Sequence, residues 1–234
     1  MKTILITGAS SGIGKAIAQQ LLSQGDCNLV LCGRSENKMN ELLASLASQE
    51  QEKIFAKTFD LLDEKEILQF IKEGREKFGD IDILINCAGA NTARACIEDL
   101  KTAELDYLIK LNTIAPFVFM RELIPAMKAK RAGMIINILS SSCLFANENI
   151  GAYTASKTGL EGLTNVLRRE MRPYNVRVCA LYPGGVDTPF RADKRPDYLQ
   201  PETVAKAVMN AINLPDEAAI DEIVLRPFVE TNFR

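Results

Sequence analysis

Short apolar runs alternate with amphipathic segments along the whole of this 234-residue chain. The runs contain few polar residues, as is typical of strands that are buried on both faces of a parallel sheet. They cover residues 4–6, 28–32, 54–59, 81–85, 134–139, 176–181 and 223–225. The segments between them repeat apolar residues at helical spacing, most clearly over 36–49, 102–130, 152–171 and 201–212. This alternation predicts an α/β fold: one doubly wound parallel sheet of about seven strands, with helices on both faces.

No linker, internal repeat or low-complexity tract interrupts this pattern, so we expect residues 1–234 to form a single domain. In a sheet of this kind, a ligand binds at the carboxyl ends of the strands. Residues 102–130 are predicted to form one long helix, and Pro116 and Pro125 are expected to bend it.

The composition excludes several classes of function. The chain has 28 lysines and arginines against 30 acidic residues, a net charge of -2, so it has no basic surface for nucleic acid or for a membrane. No apolar run approaches the ~18 residues of a membrane span, and the first apolar segment is too short for a signal peptide. The chain has six cysteines without a C-x-x-C pair and no histidine, which predicts no metal site and excludes a Ser-His-Asp hydrolase. We therefore expect free thiols and a cytoplasmic protein.

The sequence TGASSGIG at residues 7–14 joins the first strand to an amphipathic helix. Its glycines permit positive φ, let the backbone approach a ligand and leave bare N–H groups at the positive end of a helix, which suits a diphosphate. The spacing departs from the commoner G-x-G-x-x-G pattern, so a glycine-rich turn without a ligand stays open on this motif alone. The candidate cofactor-binding residues of this turn are Gly8, Ser10, Ser11, Gly12, Ile13 and Gly14.

The end of the second strand bears on the choice between NADP and NAD. In dinucleotide-binding sheets an acidic residue there holds the ribose 2′-hydroxyl, whereas an arginine accommodates a 2′-phosphate. Here the strand ends at Gly33-Arg34 without a carboxylate, which favours NADP over NAD, although a solvated loop charge stays open for Arg34. Asp60 ends the third strand, where it either accepts from the adenine amino group or caps the helix that follows.

Tyr153 and Lys157 are the candidate acid–base pair. Residues i and i+4 share one face of a helix, and a nearby ammonium lowers the pKa of a phenol from its usual ~10. An exposed Tyr–Lys pair is the alternative for this motif taken alone. Ser140 follows the fifth strand, thirteen residues upstream, where its hydroxyl faces the same cleft. Asn112 lies in the middle of a predicted helix, which suggests a buried polar role.

Two more motifs follow strands, NCAG at residues 86–89 and PGGVDT at residues 183–188. Taken together and in order, all these motifs resemble the short-chain dehydrogenase/reductase family over essentially the whole chain. The resemblance implies a Rossmann-type fold and a hydride transferred between a nicotinamide and a carbonyl or alcohol carbon. It implies that Tyr153 is the general acid and base, that Lys157 lowers the pKa of Tyr153 and binds the nicotinamide ribose, that Ser140 polarises the substrate oxygen and that Asn112 helps to hold a water molecule. The further cofactor-binding residues are Asp60, Leu61, Asn86, Ala88, Gly89, Pro183, Gly184, Val186 and Thr188.

Three positions depart from the family pattern. Cys87 replaces the second asparagine of Asn-Asn-Ala-Gly, Leu139 stands where a second serine is common, and Ser11 lacks the cation of some NADP-using members. The last departure leaves Arg34 as the main argument for NADP.

We expect an NADP(H)-dependent oxidoreductase that acts on a small carbonyl or alcohol substrate. The alternatives are a 3-oxoacyl-thioester reductase and a non-catalytic NADP-binding sensor. The loop at 187–200 is short, and its cations either attract a carboxylate or are solvated; its charged residues are Arg191, Asp193, Lys194, Arg195 and Asp197. The C-terminal segment is similar to members acting on 3-hydroxy acids and serine-like compounds. The resemblance also implies a homodimer or homotetramer built on the helices at 102–130 and 152–171.

Overall fold

The computed structural model describes residues 1–190 and 194–231. Within these ranges, seven strands form one sheet in the order β3-β2-β1-β4-β5-β6-β7, and every neighbouring pair is parallel. The strands are β1 (Lys2–Thr7), β2 (Cys27–Gly33), β3 (Ile54–Thr58), β4 (Ile83–Asn86), β5 (Gly133–Ile138), β6 (Val176–Pro183) and β7 (Glu222–Leu225). The prediction of a doubly wound parallel sheet is confirmed.

Helices cover both faces of this sheet. The helices are α1 (Gly12–Gln24), α2 (Glu36–Ala44), α3 (Ser48–Gln51), α4 (Glu64–Phe78), α5 (Thr102–Ile109), α6 (Ala115–Lys130), α7 (Gly151–Met171) and α8 (Pro201–Ile212). One apolar core includes side chains of α1, α2 and α8, and a second core on the opposite face includes side chains of α4, α6 and α7.

The alternation of side chains along a strand explains why the strands are apolar throughout. In β1, Ile4 and Ile6 lie in the first core, and Leu5 between them lies in the second. Each is almost fully buried, which stabilises the fold by roughly 1.5–3 kcal/mol per side chain. A polar residue at any of these three positions would face an apolar layer.

The prediction of one continuous helix over 102–130 is wrong. A π-helical turn, Lys110–Ile114, separates α5 from α6. Pro116 is the second residue of α6, directly after this π turn, and Pro125 lies in the interior of α6. The π turn contains Asn112, which is fully buried, and π turns of this kind are frequent at functional sites.

The predicted helix over 36–49 is also shorter than expected. Helix α2 ends at Ala44, Ser45 follows as its C-cap, and the short helix α3 begins at Ser48. In the described ranges, no helix is both long and apolar enough to cross a lipid bilayer.

Candidate active site

A cleft of about 640 Å³ lies at the carboxyl ends of the strands. It lies beside β1 and β4, where the strand order changes direction and where doubly wound sheets bind ligands. Most of the predicted site residues line it. They are Gly8, Ser11, Gly12, Ile13, Gly14, Arg34, Ala88, Gly89, Ser140, Tyr153, Lys157, Pro183, Gly184, Val186 and Thr188.

The turn between β1 and α1 requires glycine for two different reasons. Gly8 and Gly12 have φ values of +69° and +53°, a backbone region that other residues rarely adopt. At Gly14 the reason is space, because a Cβ atom there would collide with the carbonyl of Gly8. Helix α1 begins at Gly12, and the side chain of its N-cap residue, Ser11, makes no capping bond in the described structure. The first N–H groups of α1 therefore remain available to an anion.

Thr7 connects this turn to the end of β4. Its Oγ1 accepts hydrogen bonds from the backbone N–H groups of Cys87 and Ala88, both at 3.0 Å. Ser10 is buried and is not among the residues that line the cleft. Its Oγ lies 2.7 Å from the point that a Cβ atom of Gly33 would occupy, so Ser10 packs the turn against the end of β2.

Two cations line the cleft beside the end of β2. Arg34 follows β2, as predicted, and Lys38 in α2 is a second cation that the sequence reasoning missed. Arg34 Nη1 donates to the Tyr107 hydroxyl at 3.4 Å. Among the described residues, neither cation forms an ion pair with a carboxylate, so both charges are available to an anionic ligand. Arg34 precedes the first residue of α2, so helical spacing did not mark Lys38 as its neighbour.

Asp60 and Leu61 are not among the lining residues of the cleft. Asp60 Oδ1 accepts the N–H of Leu62 at 3.0 Å, and Leu61 packs against the second core. The alternative role of Asp60 as a helix N-cap is wrong. Asp63 caps α4 instead, because its Oδ1 accepts the N–H groups of the first helical turn.

Three of the four predicted catalytic side chains, Ser140, Tyr153 and Lys157, line the cleft, and the fourth, Asn112, does not. Ser140 Oγ accepts the N–H of Ser142 at 3.2 Å, and a hydroxyl that accepts one bond can still donate its proton. Tyr153 lies on the first turns of α7, with its ring 6.0 Å from that of Phe190. The pair 153/157 is not exposed, which excludes the alternative of a solvent-facing Tyr–Lys pair.

Lys157 is only 4% exposed. Burial lowers its pKa to about 8, because the low-dielectric surroundings disfavour the ammonium, and the nearby thiols of Cys87 and Cys143 oppose this effect. Nζ donates to the Ile138 carbonyl oxygen at 2.8 Å. An ammonium has three N–H donors, so this bond leaves donors for a ligand in the cleft.

Asn112 lies behind the cleft wall. Its Oδ1 accepts the N–H of Ala90 at 3.0 Å, and its Nδ2 donates to the Ala90 carbonyl and to Ser156 Oγ, both at 2.9 Å. A Cβ atom at Gly89 would lie 3.0 Å from Asn112 Oδ1 and 3.3 Å from Lys157 Nζ. Both groups therefore border the small space that a side chain at this position would occupy, which favours glycine there.

Asn86 has a different environment from the one expected for a cofactor-binding residue. It is buried outside the set of lining residues, and its Nδ2 donates to Asn137 Oδ1 at 2.8 Å. Asn137 in turn donates to Thr164 Oγ1 at 2.8 Å, so a chain of polar groups connects β4, β5 and α7. The structure thus gives Asn86 a place in the interior next to the cleft.

Sequence reasoning missed many residues of the cleft that lie between the helices and strands. The missed lining residues include Asn91, Thr92, Arg94, Asn147, Glu148, Ile150, Phe190, Tyr198 and Glu230. They lie in irregular segments, where neither periodicity nor a motif marks them. Of the predicted loop cations, Lys194 and Arg195 are exposed and do not line the cleft. Arg191 and Asp193 lie outside the described residues.

Comparison with known proteins agrees with this geometry. A family model described as "short chain dehydrogenase" matches residues 2–199. The chain belongs to the short-chain dehydrogenase family. An uncharacterized oxidoreductase of Staphylococcus saprophyticus is 33% identical to it over 232 residues, which span 97% of each chain. The present protein is thus a short-chain oxidoreductase.

Solved structures of short-chain dehydrogenases have the same fold. An alcohol dehydrogenase from the archaeon Thermococcus sibiricus, complexed with 5-hydroxy-NADP, superposes with a TM-score of 0.91 at 28% identity, covering 100% of both chains. A metagenomic short-chain oxidoreductase in complex with NADP has a TM-score of 0.83 at 31% identity, covering 98% of both chains.

Proposed function

We propose that this short-chain oxidoreductase uses NADP(H) to interconvert a small carbonyl compound and its alcohol, with Tyr153 as general acid and base. The observation that carries the proposal is the single cleft in which Ser140, Tyr153 and Lys157 lie together with the glycine turn. We place the protein in a reducing compartment such as the cytoplasm. All six cysteines lie in described segments and are free thiols, as is usual for proteins of such a compartment.

The residues of the cleft fit NADP. The positive φ values of Gly8 and Gly12 and the free N–H groups of α1 suit a diphosphate. Arg34 and Lys38 supply two cations where a 2′-phosphate would lie, and neither has a carboxylate partner in the described ranges. This charge pattern favours NADP over NAD, as do the two NADP-type complexes among the structural relatives. The nicotinamide supplies or accepts the hydride when the cofactor is bound.

The roles of the catalytic residues follow from their contacts. Ser140 donates its hydroxyl proton to the substrate oxygen, while its Oγ accepts the N–H of Ser142. Tyr153 gives its proton to this oxygen in reduction and takes one from the alcohol in oxidation. The ammonium of Lys157 lies one helical turn away and favours the phenolate. Asn112 fixes the Ala90 backbone beside Gly89 and thereby keeps the wall next to Lys157 in place.

The test is the variant Tyr153→Phe, assayed at 340 nm with a panel of small carbonyl and hydroxy compounds. We expect turnover to fall by at least about 10²-fold, because the proton donor is lost, while NADPH binding stays nearly intact. Tyr174→Phe is the matched control, since Tyr174 packs against Lys128 and does not line the cleft. Undiminished turnover in Tyr153→Phe would show that the acid–base assignment is wrong.

We further propose that the protein assembles as a homodimer or homotetramer through α6 and α7. Large apolar side chains are exposed on this side of the molecule: Ile114, Phe117, Leu163 and Val166, the last of them 57% exposed. Burying them against a second copy removes apolar surface from water. Sedimentation as a monomer at micromolar concentration would refute this assembly.

A further inference from the structure

The last described segment of the chain returns to the cleft. After β7 the backbone makes a turn in which the Glu230 N–H donates to the Pro227 carbonyl at 3.1 Å. This turn places the Glu230 side chain on the cleft wall, 45 residues away in sequence from Gly185, which it contacts. The side chain is only 18% exposed, so a carboxylate is held in a largely buried position.

Both oxygens of this carboxylate have partners. Oε1 accepts the backbone N–H of Gly185 at 2.6 Å, and Oε2 accepts from Arg226 Nε at 3.1 Å. Hydrogen bonds to an ionised group are about twice as strong as neutral ones. The Gly185 N–H is therefore held by a charge-assisted bond and not by a neighbouring strand.

The segment held in this way is intrinsically adaptable. Gly184 and Gly185 follow the end of β6, and consecutive glycines leave the backbone with wide conformational freedom. Both glycines are also closely packed. A Cβ atom at Gly184 would collide with the Glu230 carboxylate, and one at Gly185 would collide with the ring of Tyr198. The pair thus lies between the C-terminal turn and the loop that precedes α8.

Arg226 extends the contact to the segment after β5. Its guanidinium carbon lies 4.3 Å from the centroid of the Phe145 ring, a cation–π distance. The N–H of Phe145 donates to the carbonyl of Ser141 at 2.9 Å, directly after Ser140. One ion pair therefore connects the segment after β6 with the segment after β5.

We infer that Glu230 is a positioning residue, which with Arg226 clamps the glycine pair after β6 and sets its position relative to Ser140. The inference rests on the proposed function, in which the segment 183–188 lines the nicotinamide end of the cleft. The clamp fixes this wall before a cofactor binds, so nicotinamide and substrate oxygen meet a preorganised surface. The adenosine half of the cofactor is held elsewhere, by the glycine turn and Arg34.

Hydrogen exchange in the protein without cofactor tests the clamp itself. In Glu230→Gln the side chain keeps its shape, but its amide N–H₂ must face one of two donors, the Gly185 N–H or Arg226 Nε. Arg226→Met removes the ion pair from the other side. In both variants we expect exchange in the peptide 183–188 to rise about tenfold, because each loses a charge-assisted bond. Glu217→Gln is the matched control, since Glu217 is exposed before β7 and makes no contact in the described structure. Unchanged exchange in both variants would overturn the inference.

Steady-state kinetics tests the positioning role. We expect kcat to fall about tenfold in both variants, while KM for NADPH changes about threefold or less and the affinity for adenosine 2′,5′-bisphosphate stays the same. This pattern separates positioning from general destabilisation, which would weaken binding of the adenosine half as well. Faster exchange with an unchanged kcat would refute the positioning role. If the parent protein shows no NADPH turnover, the proposed function fails, and the exchange measurement still decides whether the clamp exists.

Discussion

Replacing Lys157 with methionine is expected to make the protein more stable at neutral pH and at the same time inactive. The ammonium lies in the interior, where burial lowers its pKa from 10.5 to about 8. Methionine is an unbranched side chain that fills similar space without a charge. The variant thus removes a buried charge that lowers the stability of the fold but is needed in the proposed reaction. Active-site residues often lower stability in this way.

The magnitude follows from the two pKa values. Below pH 8 the lysine is protonated in both the folded and the unfolded chain, so the folded state bears the full cost of a buried charge, about 3 kcal/mol. Between pH 8 and 10.5 the unfolded chain binds more protons than the folded one, so stability rises with pH and this cost disappears. The variant also loses the hydrogen bond from Nζ to the Ile138 carbonyl, which costs about 1 kcal/mol. The net gain is about 2 kcal/mol at pH 7 and close to zero by about pH 10.

The assay is urea unfolding of the protein without cofactor at pH 7 and pH 10. Far-UV circular dichroism is the suitable signal, because the chain contains no tryptophan. If parent and variant have equal m-values, their free energies of unfolding can be compared directly. Lys206→Met is the control, since Lys206 is exposed on α8, and it should change stability little at either pH. A Lys157→Met variant that is less stable than the parent at pH 7, or a stability difference independent of pH, would refute the reasoning.

Three further predictions concern the cofactor and the interior. Replacing both Arg34 and Lys38 with alanine should raise KM for NADPH far more than KM for NADH, because the two cations face a 2′-phosphate that only NADPH has. Equal increases in KM for the two cofactors would contradict this prediction. Gly14→Ala should abolish NADPH binding, measured by fluorescence titration, because its Cβ would collide with a backbone carbonyl in the turn. An affinity within twofold of the parent's would show that the turn can shift to accept the side chain. Asn137→Ala should lower the free energy of unfolding, measured in urea, by about 2–4 kcal/mol, because Asn86 and Thr164 would stay buried without their shared partner. A change below about 0.5 kcal/mol would show that this chain of hydrogen bonds contributes little to stability.

Much of the fold could be predicted, because the apolar residues seen in the sequence are the ones that the fold buries. In the strands, alternate side chains enter two different cores, so both sets must be apolar and the run is visible in the sequence. The helix over 102–130 shows where this reasoning fails. The apolar period continues through residues 110–114, but the backbone makes a π turn there and buries Asn112. Because that burial depends on the Ala90 backbone and on Ser156, both distant in sequence, periodicity alone does not reveal it.

The candidate site divides in the same way. Tyr153 and Lys157 could be paired from sequence because one helix fixes their relation, and Arg34 could be placed because it ends a strand. For Asp60 the sequence left a helix cap open as the alternative to an adenine contact, and Asp63 caps the helix instead, since two aspartates three residues apart offer the same local signal. Glu230 gave no signal, because its partner Gly185 is reached only through the fold.

The sequence by itself determined the class of sheet, the glycine turn and the phenol–ammonium pair, because each depends on residues close together in the chain. Tertiary structure alone decided the rest. It buried Lys157 and so lowered its pKa, made Lys38 a neighbour of Arg34 in the cleft, and returned Glu230 to the segment after β6. These properties depend on desolvation and on contacts between distant segments, and neither is encoded in any local pattern of residues.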